Sequence, residues 1–509
     1  MKPKLTVYYT SDTHGYVFPT NYIDDAVRSM GLTGMIHQFA KDGNTLVLDG
    51  GDTLQGSPLT YYCHTKGLPS PMPLVMNEAG YDAVTLGNHD FNYGYDALSD
   101  YLSALHARCL CANVRDRSGR LPIAPYQIQV MENGLRVGIL GIVTPWVNRW
   151  EQPETLSHFE ITDPLEAAKA ALEALHGQTD FTICIYHGGL ERDPLTGKVH
   201  TETDENIACR LCEELDFDLM LTGHQHVTLE GIKYHGTYLV QPPANATHYL
   251  KIEVAEDGHI ASRLLPSDTA CEEGLKKALQ PLKEDIDTWL DMPIGRLKKP
   301  LWPEGKVHMA LYGTPIASFF NQVQLEASGA DISCTSLANE IRGFDDRVTV
   351  RDVVSTYVYP NTLVVLQADE AILREALERC ASYFEVSKNG QVSVAKDFLQ
   401  PKVAHYNYDF FSGIRYEFDL EKPVGKRLAS LLFHGKPVEK GQSFTLCMNN
   451  YRATGVAGYD MYLRCPKVKE IQREMSELIL DYFTRHDMVS VEEPDFQVTG
   501  WVSIAKEWV

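Results

Sequence analysis

The chain has 509 residues, 44% of them hydrophobic and 22% charged, and its formal net charge is −22 at pH 7. This length exceeds that of one ordinary hydrophobic core, so we expect two or three domains. The negative charge argues against a nucleic-acid polymer or an anionic membrane as the main partner, because both are negatively charged themselves. A small phosphorylated substrate remains compatible with it, because bound divalent cations would reverse the local charge.

The beginning of the chain and its hydropathy bear on where the protein acts. The sequence holds no apolar run of about 18 residues, the length that a membrane-spanning helix needs. The first strand-like run, LTVYYTS, begins so early that a signal peptide has no room before it. We therefore expect a cytoplasmic protein, although a chain that had lost a leader would look the same.

The first half of the chain, to about residue 265, alternates strand-like runs with helical patterns, as in an α/β domain. Five apolar runs are each followed at once by residues of types that bind metals. The runs are LTVYYTS, TLVLDGG, DAVTLG, FTICIY and DLMLTG, and the residues are Asp12 and His14, Asp52, Asn88 and His89, His187, and His224 and His226. Ligands collect beyond the carboxyl ends of the strands in open α/β sheets, so the five runs together predict a site for several metal ions.

The spacing of these residues suggests how they divide between ions. Residues two apart on a strand point to the same side, so we expect Asp12 and His14 to bind one ion. His224 and His226 would reach two neighbouring ions if the chain bends between them. A single histidine of this kind is as often structural, so the prediction depends on the five runs together.

Asp52 is the best candidate for a bridging ligand, because a carboxylate has two oxygens and the two glycines before it permit a sharp turn. Mixed nitrogen and oxygen ligation suits Zn, Mn, Fe or Co, and the sequence does not choose among them. Two such ions about 3.5–4 Å apart can hold a phosphoryl group and activate water. His89, beside Asn88, is placed to stabilise the developing charge or to protonate the leaving oxygen.

The second half of the chain predicts a separate α+β domain, with helical patterns such as DEAILREALERCASYF and strand-like runs such as SFTLCMNNY. A stretch rich in Pro, Gly and Lys, DMPIGRLKKPLWPEG, precedes it. We therefore expect a metal-binding α/β domain at 1–290, a linker or hinge at 291–305, and a second domain at 306–509.

The motifs SDTHG, GGDTLQGSP, LGNHDFNYG, YHGG and GHQH resemble those of the calcineurin-like metallophosphoesterases. Within that superfamily the chain is similar to the bacterial 5′-nucleotidase and 2′,3′-cyclic-nucleotide phosphodiesterase group. The similarity continues through STYVYPNTLVVLQ, YNYDFFSGIRYEFDL and MNNYRATG in the second half. The resemblance implies a β-sheet sandwich flanked by helices, followed by an α+β domain of the 5′-nucleotidase type.

The resemblance also implies a role for each site residue. One metal would be held by Asp12, His14, Asp52 and His226, and the other by Asp52, Asn88, His187 and His224, with His89 as the catalytic histidine. In 5′-nucleotidases an Asp pairs with this histidine, whereas here the segment is DFNYG and Asn92 takes that place. In having Asn at this position, the chain resembles the branch of the family that combines 2′,3′-cyclic phosphodiesterase and 3′-nucleotidase activity.

Base recognition in the family uses two aromatic rings of the second domain. Tyr451 in NNYRATG matches one ring, and the other lies in YNYDFF, where we expect Tyr406, with Tyr408 as the alternative. Stacking suits any base, because every base has a π-face. Arg342, in SLANEIRG, is a weaker candidate for a phosphate or ribose contact, because the family's glycine run is missing before it.

The sequence and the resemblance together predict an enzyme that hydrolyses nucleotide phosphoesters with two divalent ions, Mn or Zn being expected and Fe or Co possible. The expected substrates are 2′,3′-cyclic and 3′-nucleotides. A 5′-nucleotidase that acts on 5′-monophosphates or UDP-sugars is the alternative, and a non-catalytic nucleotide-binding protein is an alternative of another class. The expected partner is a small nucleotide, with no nucleic-acid polymer and no membrane.

Overall fold

The computed structural model describes residues 4–24, 26–199, 203–359, 361–400, 402–471 and 473–506. The chain divides into two compact units, the first ending at Ile286 and the second beginning at Asp287. Among the helices of these described ranges, none is long and apolar enough to cross a membrane.

The first unit alternates strands and helices, as its apolar runs predict. The strands are β1 (Leu5–Thr10), β2 (Thr45–Asp49), β3 (Ala83–Val84), β4 (Arg108–Leu110), β5 (Val114–Asp116), β6 (Ile123–Ala124), β7 (Tyr126–Val130), β8 (Arg136–Val143), β9 (Phe159–Ile161), β10 (Phe181–His187), β11 (Leu219–Thr222), β12 (Leu229–Tyr234), β13 (Thr237–Gln241), β14 (His248–Val254) and β15 (Ile260–Pro266). The helices are α1 (Leu32–Ile36), α2 (Pro58–Lys66), α3 (Met72–Ala79), α4 (Gly94–Ala104), α5 (Val147–Trp150), α6 (Pro153–Leu156), α7 (Pro164–Leu175) and α8 (Ala208–Glu214). The helix α9 (Glu273–Leu290) follows the last strand and includes the boundary at Ile286. A 3₁₀ helix covers Asn88–Phe91.

Two mixed sheets form the centre of this unit. One has the strand order β15-β14-β1-β2-β3-β4-β6, and the other has the order β12-β13-β11-β10-β8-β7. Their facing side chains share one core, with Val7 and Leu48 from the first sheet and Ile183 and Leu221 from the second. Alternate residues such as Cys184 point the other way and pack with residues of α7 and α8. The predicted β-sheet sandwich flanked by helices is therefore confirmed.

Parallel pairing brings the strand ends together. In the first sheet β1 is parallel to β2 and β2 to β3, and in the second β10 is parallel to both β8 and β11. The predicted runs correspond to β1, β2, β10 and β11, whereas the run DAVTLG forms only the short strand β3. The segments that carry the predicted metal ligands all leave the sheets at these carboxyl ends.

The second unit is α+β, as predicted. Its strands are β16 (Pro293–Arg296), β17 (Ile332–Ser336), β18 (Arg347–Thr349), β19 (Leu363–Asp369), β20 (Phe384–Val386), β21 (Gln391–Val394), β22 (Asp409–Ser412), β23 (Arg415–Asp419), β24 (Leu428–Phe433), β25 (Lys436–Pro437), β26 (Ser443–Asn449), β27 (Lys467–Ile471), β28 (Phe496–Thr499) and β29 (Ser503–Ile504). Its helices are α10 (Lys306–Tyr312), α11 (Pro315–Ser328), α12 (Val350–Thr356), α13 (Glu370–Ala381), α14 (Asn450–Ala453) and α15 (Met475–Arg485), and 3₁₀ helices cover Lys396–Phe398, His405–Asn407, Val456–Gly458 and Asp460–Arg464.

A five-stranded sheet with the order β22-β17-β26-β19-β27 organises the core of the second unit. Phe319 and Phe320 of α11 and Leu377 of α13 are buried in the same cluster as Ile332 and Leu446 of this sheet. Burial of these apolar faces accounts for the amphipathic patterns that predict the two helices.

The stretch 291–305, predicted as a linker, is partly built into the second unit. Within it, β16 pairs with β18 in antiparallel fashion, and Leu301 pairs with Phe344. Pro is tolerated in edge strands, so composition alone does not show that this stretch contains paired residues. A hinge role for this stretch stays a prediction.

Candidate active site

The seven predicted metal ligands lie in two groups. In the first, donor atoms of Asp12, His14 and His226 are all within 4.8 Å of one another, and in the second the same holds for Asp52, His187 and His224. The seventh, Asn88, belongs with the second group, because its Oδ1 is 2.8 Å from His224 Nδ1 and 3.2 Å from His187 Nε2. The backbone N–H of His224 donates to Asp12 Oδ1 at 3.0 Å, which connects the two groups.

The backbone at five of these residues adopts a conformation that is uncommon outside glycine. Asp12, His14, Asp52, His224 and His226 have φ values of 54°, 49°, 57°, 70° and 55°. Such left-handed residues cost about 1–3 kcal/mol each and cluster at functional sites. Asp12 and His14 do belong to one group, as predicted. The predicted reason, that they alternate along a strand, is wrong. Strand β1 ends before them, and two left-handed turns aim their side chains.

His14 offers one ring nitrogen to the first group. Its Nδ1 lies 2.9 Å from the carbonyl oxygen of Gln55, which can only accept, so Nδ1 donates the hydrogen bond. Its Nε2 lies 3.0 Å from His226 Nε2, which is 3.3 Å from Asp12 Oδ1. Burial, and then the neighbouring His226, lower the pKa of His14 to about 4. The ring is thus neutral at pH 7 and presents a lone pair to the centre of the group.

His187 is held in a similar way in the second group. Its Nδ1 donates to the carbonyl oxygen of Gly50 at 2.6 Å, and its Nε2 faces Asp52 Oδ2 and Asn88 Oδ1, both at 3.2 Å. Burial acts to lower the pKa of His187, but the Asp52 carboxylate, together with Asp12 and the Gly50 carbonyl, raises that pKa to about 10. A positive charge between these atoms is therefore strongly favoured.

The donors at both groups fit two divalent cations. Asp52 Oδ2 is buried and, although it lies 3.2 Å from His187 Nε2, it accepts no well-formed hydrogen bond within the described ranges. A buried carboxylate oxygen of this kind needs a cation or a donor. Neutral imidazoles, carboxylates and one amide oxygen are ligands that Zn, Mn, Fe and Co accept.

His89 lies directly beside the second group. Its backbone N–H donates to Asp52 Oδ1 at 2.7 Å, and its half-buried ring lies 5.4 Å from that of His14, centroid to centroid. Its Nδ1 is 2.7 Å from Asn92 Oδ1, so Asn92 pairs with this histidine. The Nδ2 of Asn92 in turn donates to Glu151 Oε2 at 2.8 Å.

Asp90 has a supporting role that the sequence reasoning missed. Its fully buried carboxylate accepts four backbone N–H bonds, from Asp52 at 3.0 Å, Thr53 at 2.8 Å, Leu54 at 2.9 Å and Gly87 at 2.8 Å. Burial, and next the charge of Asp52, raise the pKa of Asp90, while these N–H donors lower it. Asp90 thus ties together the loops after β2 and β3.

His224 is oriented by two residues that no motif indicates. Its Nδ1 faces Asn88, while Glu205 Oε1 lies 3.0 Å from its Nε2. The Trp150 ring stacks on the imidazole at a centroid distance of 5.5 Å and an angle of 27°. A carboxylate on the far nitrogen of a ligating histidine fixes its orientation and raises its basicity.

The second unit contains the predicted aromatic rings. Tyr451, on α14, keeps 36% of its surface exposed, and Tyr406, in the 3₁₀ helix His405–Asn407, is half-buried. Tyr408 is 2% exposed, packs against neighbouring rings and donates its hydroxyl to the carbonyl oxygen of Ala310. Its ring faces are covered by protein, so of the two tyrosines in YNYDFF only Tyr406 has surface to offer.

Two arginines of this unit pair with buried carboxylates. Arg342, a predicted substrate contact, donates from Nε to Asp352 Oδ1 at 2.7 Å. Arg452, which the sequence reasoning missed, is buried: its Nε lies 2.9 Å from Asp409 Oδ2 and its Nη2 donates to the carbonyl oxygen of Tyr406 at 2.9 Å. Because Arg452 follows Tyr451 in the chain, it links the segments that carry Tyr451 and Tyr406.

Comparison with known proteins agrees with this architecture. Residues 5–228 match the family described as calcineurin-like phosphoesterase, and residues 293–464 match the family described as 5′-nucleotidase, C-terminal domain. A 2′,3′-cyclic-nucleotide 2′-phosphodiesterase/3′-nucleotidase of Haemophilus influenzae is 26% identical over 89% of this chain and 80% of its own. A 5′-nucleotidase of Vibrio parahaemolyticus is 21% identical over 96% of this chain and 90% of its own.

A solved structure matches the whole chain. The crystal structure of a putative 5′-nucleotidase from Staphylococcus aureus has a TM-score of 0.87 and 32% identity, covering 97% of this chain and 99% of that one. Together with a family match in each unit, this similarity shows that the chain belongs to the calcineurin-like phosphoesterases that carry a 5′-nucleotidase C-terminal domain.

Proposed function

We propose that this protein hydrolyses nucleotide phosphoesters with two divalent cations, and that it prefers 2′,3′-cyclic and 3′-nucleotides. The observation that carries the preference is the pairing of His89 with the Asn92 amide beside the two donor groups. The name of the Haemophilus influenzae relative, a cyclic phosphodiesterase and 3′-nucleotidase, supports the same substrates.

In this proposal Asp12, His14, Asp52 and His226 hold one cation, and Asp52, Asn88, His187 and His224 hold the other. Mn and Zn are the expected ions, with Fe and Co as alternatives. When bound, two such cations neutralise the charge of a phosphoryl group and lower the pKa of water for attack on phosphorus. The chain supplies the rest by orienting two ligand imidazoles: the carbonyl oxygens of Gln55 and Gly50 accept from Nδ1 of His14 and His187, which leaves Nε2 of each ring to the cation.

His89 acts on the leaving oxygen in this proposal. Because its Nδ1 donates to Asn92, its other nitrogen, Nε2, is left to face the substrate. In its acid form the ring would carry a second proton on Nε2, besides the one that Asn92 keeps on Nδ1. That second proton would stabilise the developing charge and pass to the leaving alkoxide, which leaves a neutral ring protonated on Nδ1. An amide raises the basicity of the ring less than a carboxylate would, and a strained cyclic diester needs less help from a strong acid or base than an unstrained monoester.

Base recognition is assigned to Tyr451 and Tyr406, with Arg342 as a possible further contact. Support comes from the exposed ring of Tyr451 and from the bond that links Arg452 to the Tyr406 carbonyl. Stacking on two rings accepts any base, so we expect little discrimination between purines and pyrimidines.

A substrate panel tests the proposed function. Purified protein is incubated with 2′,3′-cyclic AMP, 3′-AMP, 5′-AMP and a UDP-sugar, each with Mn, Zn or Co, and the products are separated by chromatography, since opening the cyclic diester releases no phosphate. We expect the cyclic and 3′-substrates to have a kcat/KM at least about tenfold above that of 5′-AMP, a difference of about 1.4 kcal/mol.

Two other functions correspond to other outcomes of the panel. A 5′-nucleotidase that also accepts UDP-sugars is favoured by the likeness to the putative 5′-nucleotidase from Staphylococcus aureus, and faster hydrolysis of 5′-AMP would establish it in place of our proposal. A nucleotide-binding protein without activity would bind these compounds and turn over none of them with any of the three metals.

A further inference from the structure

A buried carboxylate lies behind the amide that contacts His89. Glu151, which is 8% exposed, follows α5 in the segment after β8. Its Oε2 accepts from Asn92 Nδ2 at 2.8 Å, and its Oε1 accepts from the backbone N–H of Gln152 at 2.6 Å. Both oxygens of this carboxylate therefore serve as acceptors.

This arrangement determines which way the Asn92 amide is turned. A side-chain amide has one accepting end and one donating end. With its NH₂ donating to Glu151, its Oδ1 must face His89 Nδ1, 2.7 Å away, and only a protonated Nδ1 satisfies that oxygen. The carboxylate thus selects the ring nitrogen of His89 that carries the proton, although it does not touch the ring.

We propose that Glu151 is a positioning residue for His89, which acts through the Asn92 amide to keep Nε2 of the imidazole turned to the substrate. The effect of Glu151 on catalysis rests on the proposed function, whereas its effect on the orientation of His89 does not. A buried charge is costly unless donors surround it, and one donor here is the group that orients His89. A His–Asn–Glu chain would thus take the place of the direct His–Asp pair of 5′-nucleotidases.

Substitutions of Glu151 and Asn92, made singly and together, test this proposal. In Glu151→Gln the new amide oxygen must accept the fixed N–H of Gln152, so its NH₂ points at Asn92 and turns that amide around. The proton of His89 then moves to Nε2. In Asn92→Asp two carboxylates would face each other, and both cannot stay ionised. In the double variant Asn92→Asp/Glu151→Gln every donor again meets an acceptor, and Nδ1 of His89 keeps its proton.

The inference therefore predicts that Glu151→Gln has opposite effects in two backgrounds. With Asn92 present, Glu151→Gln should lower kcat on 2′,3′-cyclic AMP by at least about tenfold and change KM little. The upper limit is the loss of about 10⁴-fold that a wrong imidazole tautomer causes in a serine protease. Combined with Asn92→Asp, Glu151→Gln raises kcat above that of Asn92→Asp alone. Equal losses in both backgrounds would overturn the inference, because a purely structural Glu151 would behave in that way.

The histidine tautomer can also be measured without turnover. Protein loaded with Zn and labelled with ¹⁵N at its 18 histidines gives imidazole spectra in which His89 is assigned by its loss in His89→Gln. We expect a proton on Nδ1 in the wild type and the double variant, and on Nε2 in Glu151→Gln. The same tautomer in all three proteins would contradict the inference, even if the panel shows no hydrolysis and the proposed function fails.

Glu154→Gln serves as the matched control. Glu154 lies in the same segment, is exposed and has the same charge. We expect it to leave kcat and the His89 spectrum unchanged. A loss as large as that of Glu151→Gln would mean that the segment, rather than the bond to Asn92, determines the rate, and would overturn the inference.

Discussion

The donor atoms of the first unit and the rings of the second are held by different kinds of structure. The metal-ligand candidates follow strands that are buried on both faces, and five of them adopt left-handed backbone. Hydrogen bonds from backbone N–H groups to Asp12 and Asp52 tie the segments together. Tyr451 and Tyr406 lie instead on one-turn helices at the surface of their unit, joined by one buried arginine. The first site depends on rigid geometry, whereas the second requires only exposed ring faces.

The difference between the two sites explains why one was easier to predict than the other. Metal ligands come from few residue types and leave the ends of strands whose apolar runs are visible in the sequence. A tyrosine that stacks on a base and a tyrosine that packs in a core look alike in sequence, and only tertiary burial separates Tyr406 from Tyr408. Substitutions should therefore affect the first site more severely than the second.

The largest effect should follow Asp52→Asn. Asp52 is the proposed bridge, and it also accepts the backbone N–H of His89, so the change should weaken both cation sites and lower kcat by several orders of magnitude. Metal content by mass spectrometry and kcat on 2′,3′-cyclic AMP would measure this. Asp257→Asn, in an exposed turn, is the control. Full activity in Asp52→Asn would show that two cations do not share this carboxylate.

His89→Ala should give the next largest effect. If the ring holds a proton for the leaving oxygen, kcat should fall by about 10²–10⁴-fold, the range for acid–base residues. Metal content should stay at the wild-type level, since no metal is assigned to this side chain. His176→Ala, at the exposed end of α7, controls for the loss of an imidazole. Metal lost in parallel with activity would make His89 a ligand instead.

Glu205→Gln should act on the cations rather than on the chemical step. Glu205 lies 3.0 Å from the far nitrogen of His224, and partners of this kind contribute about 10–100-fold to metal affinity. We expect the metal concentration for half-maximal activity to rise by that factor, while kcat at saturating metal changes little. Glu214→Gln, on exposed surface, should change neither quantity. A fall in kcat at saturating metal would argue against this role.

The smallest effects should come from the second unit. Tyr451→Ala and Tyr406→Ala should each reduce kcat/KM on nucleotides by about tenfold to a hundredfold, the usual loss for one stacked base. Hydrolysis of bis-p-nitrophenyl phosphate, which has no base, should be nearly unchanged, and Phe at either position should retain most activity. Tyr312→Ala, in the same unit and 55% exposed, is the control. Equal losses on both substrates would indicate a folding defect instead.

The fold of the first unit could be predicted well because its strands β1, β2, β10 and β11 are continuous apolar runs. The route of the chain after these strands could not, since a left-handed turn at Asp12 or His226 leaves no periodic signal. Glu151 and Glu205 could not be predicted either. They lie 62 and 19 residues from His89 and His224 in the sequence, in loops without a motif, and folding brings them close.

Metal dependence tests the central claim most directly. Protein freed of metal by chelation and dialysis would be titrated with Mn while hydrolysis of 2′,3′-cyclic AMP is followed. Because the donor atoms form two groups and Asp52 is the proposed bridge between them, we predict no activity without metal and a rise that reaches its plateau at two equivalents per chain. Full activity without metal, or a plateau at one equivalent, would contradict the account of a two-cation phosphoesterase.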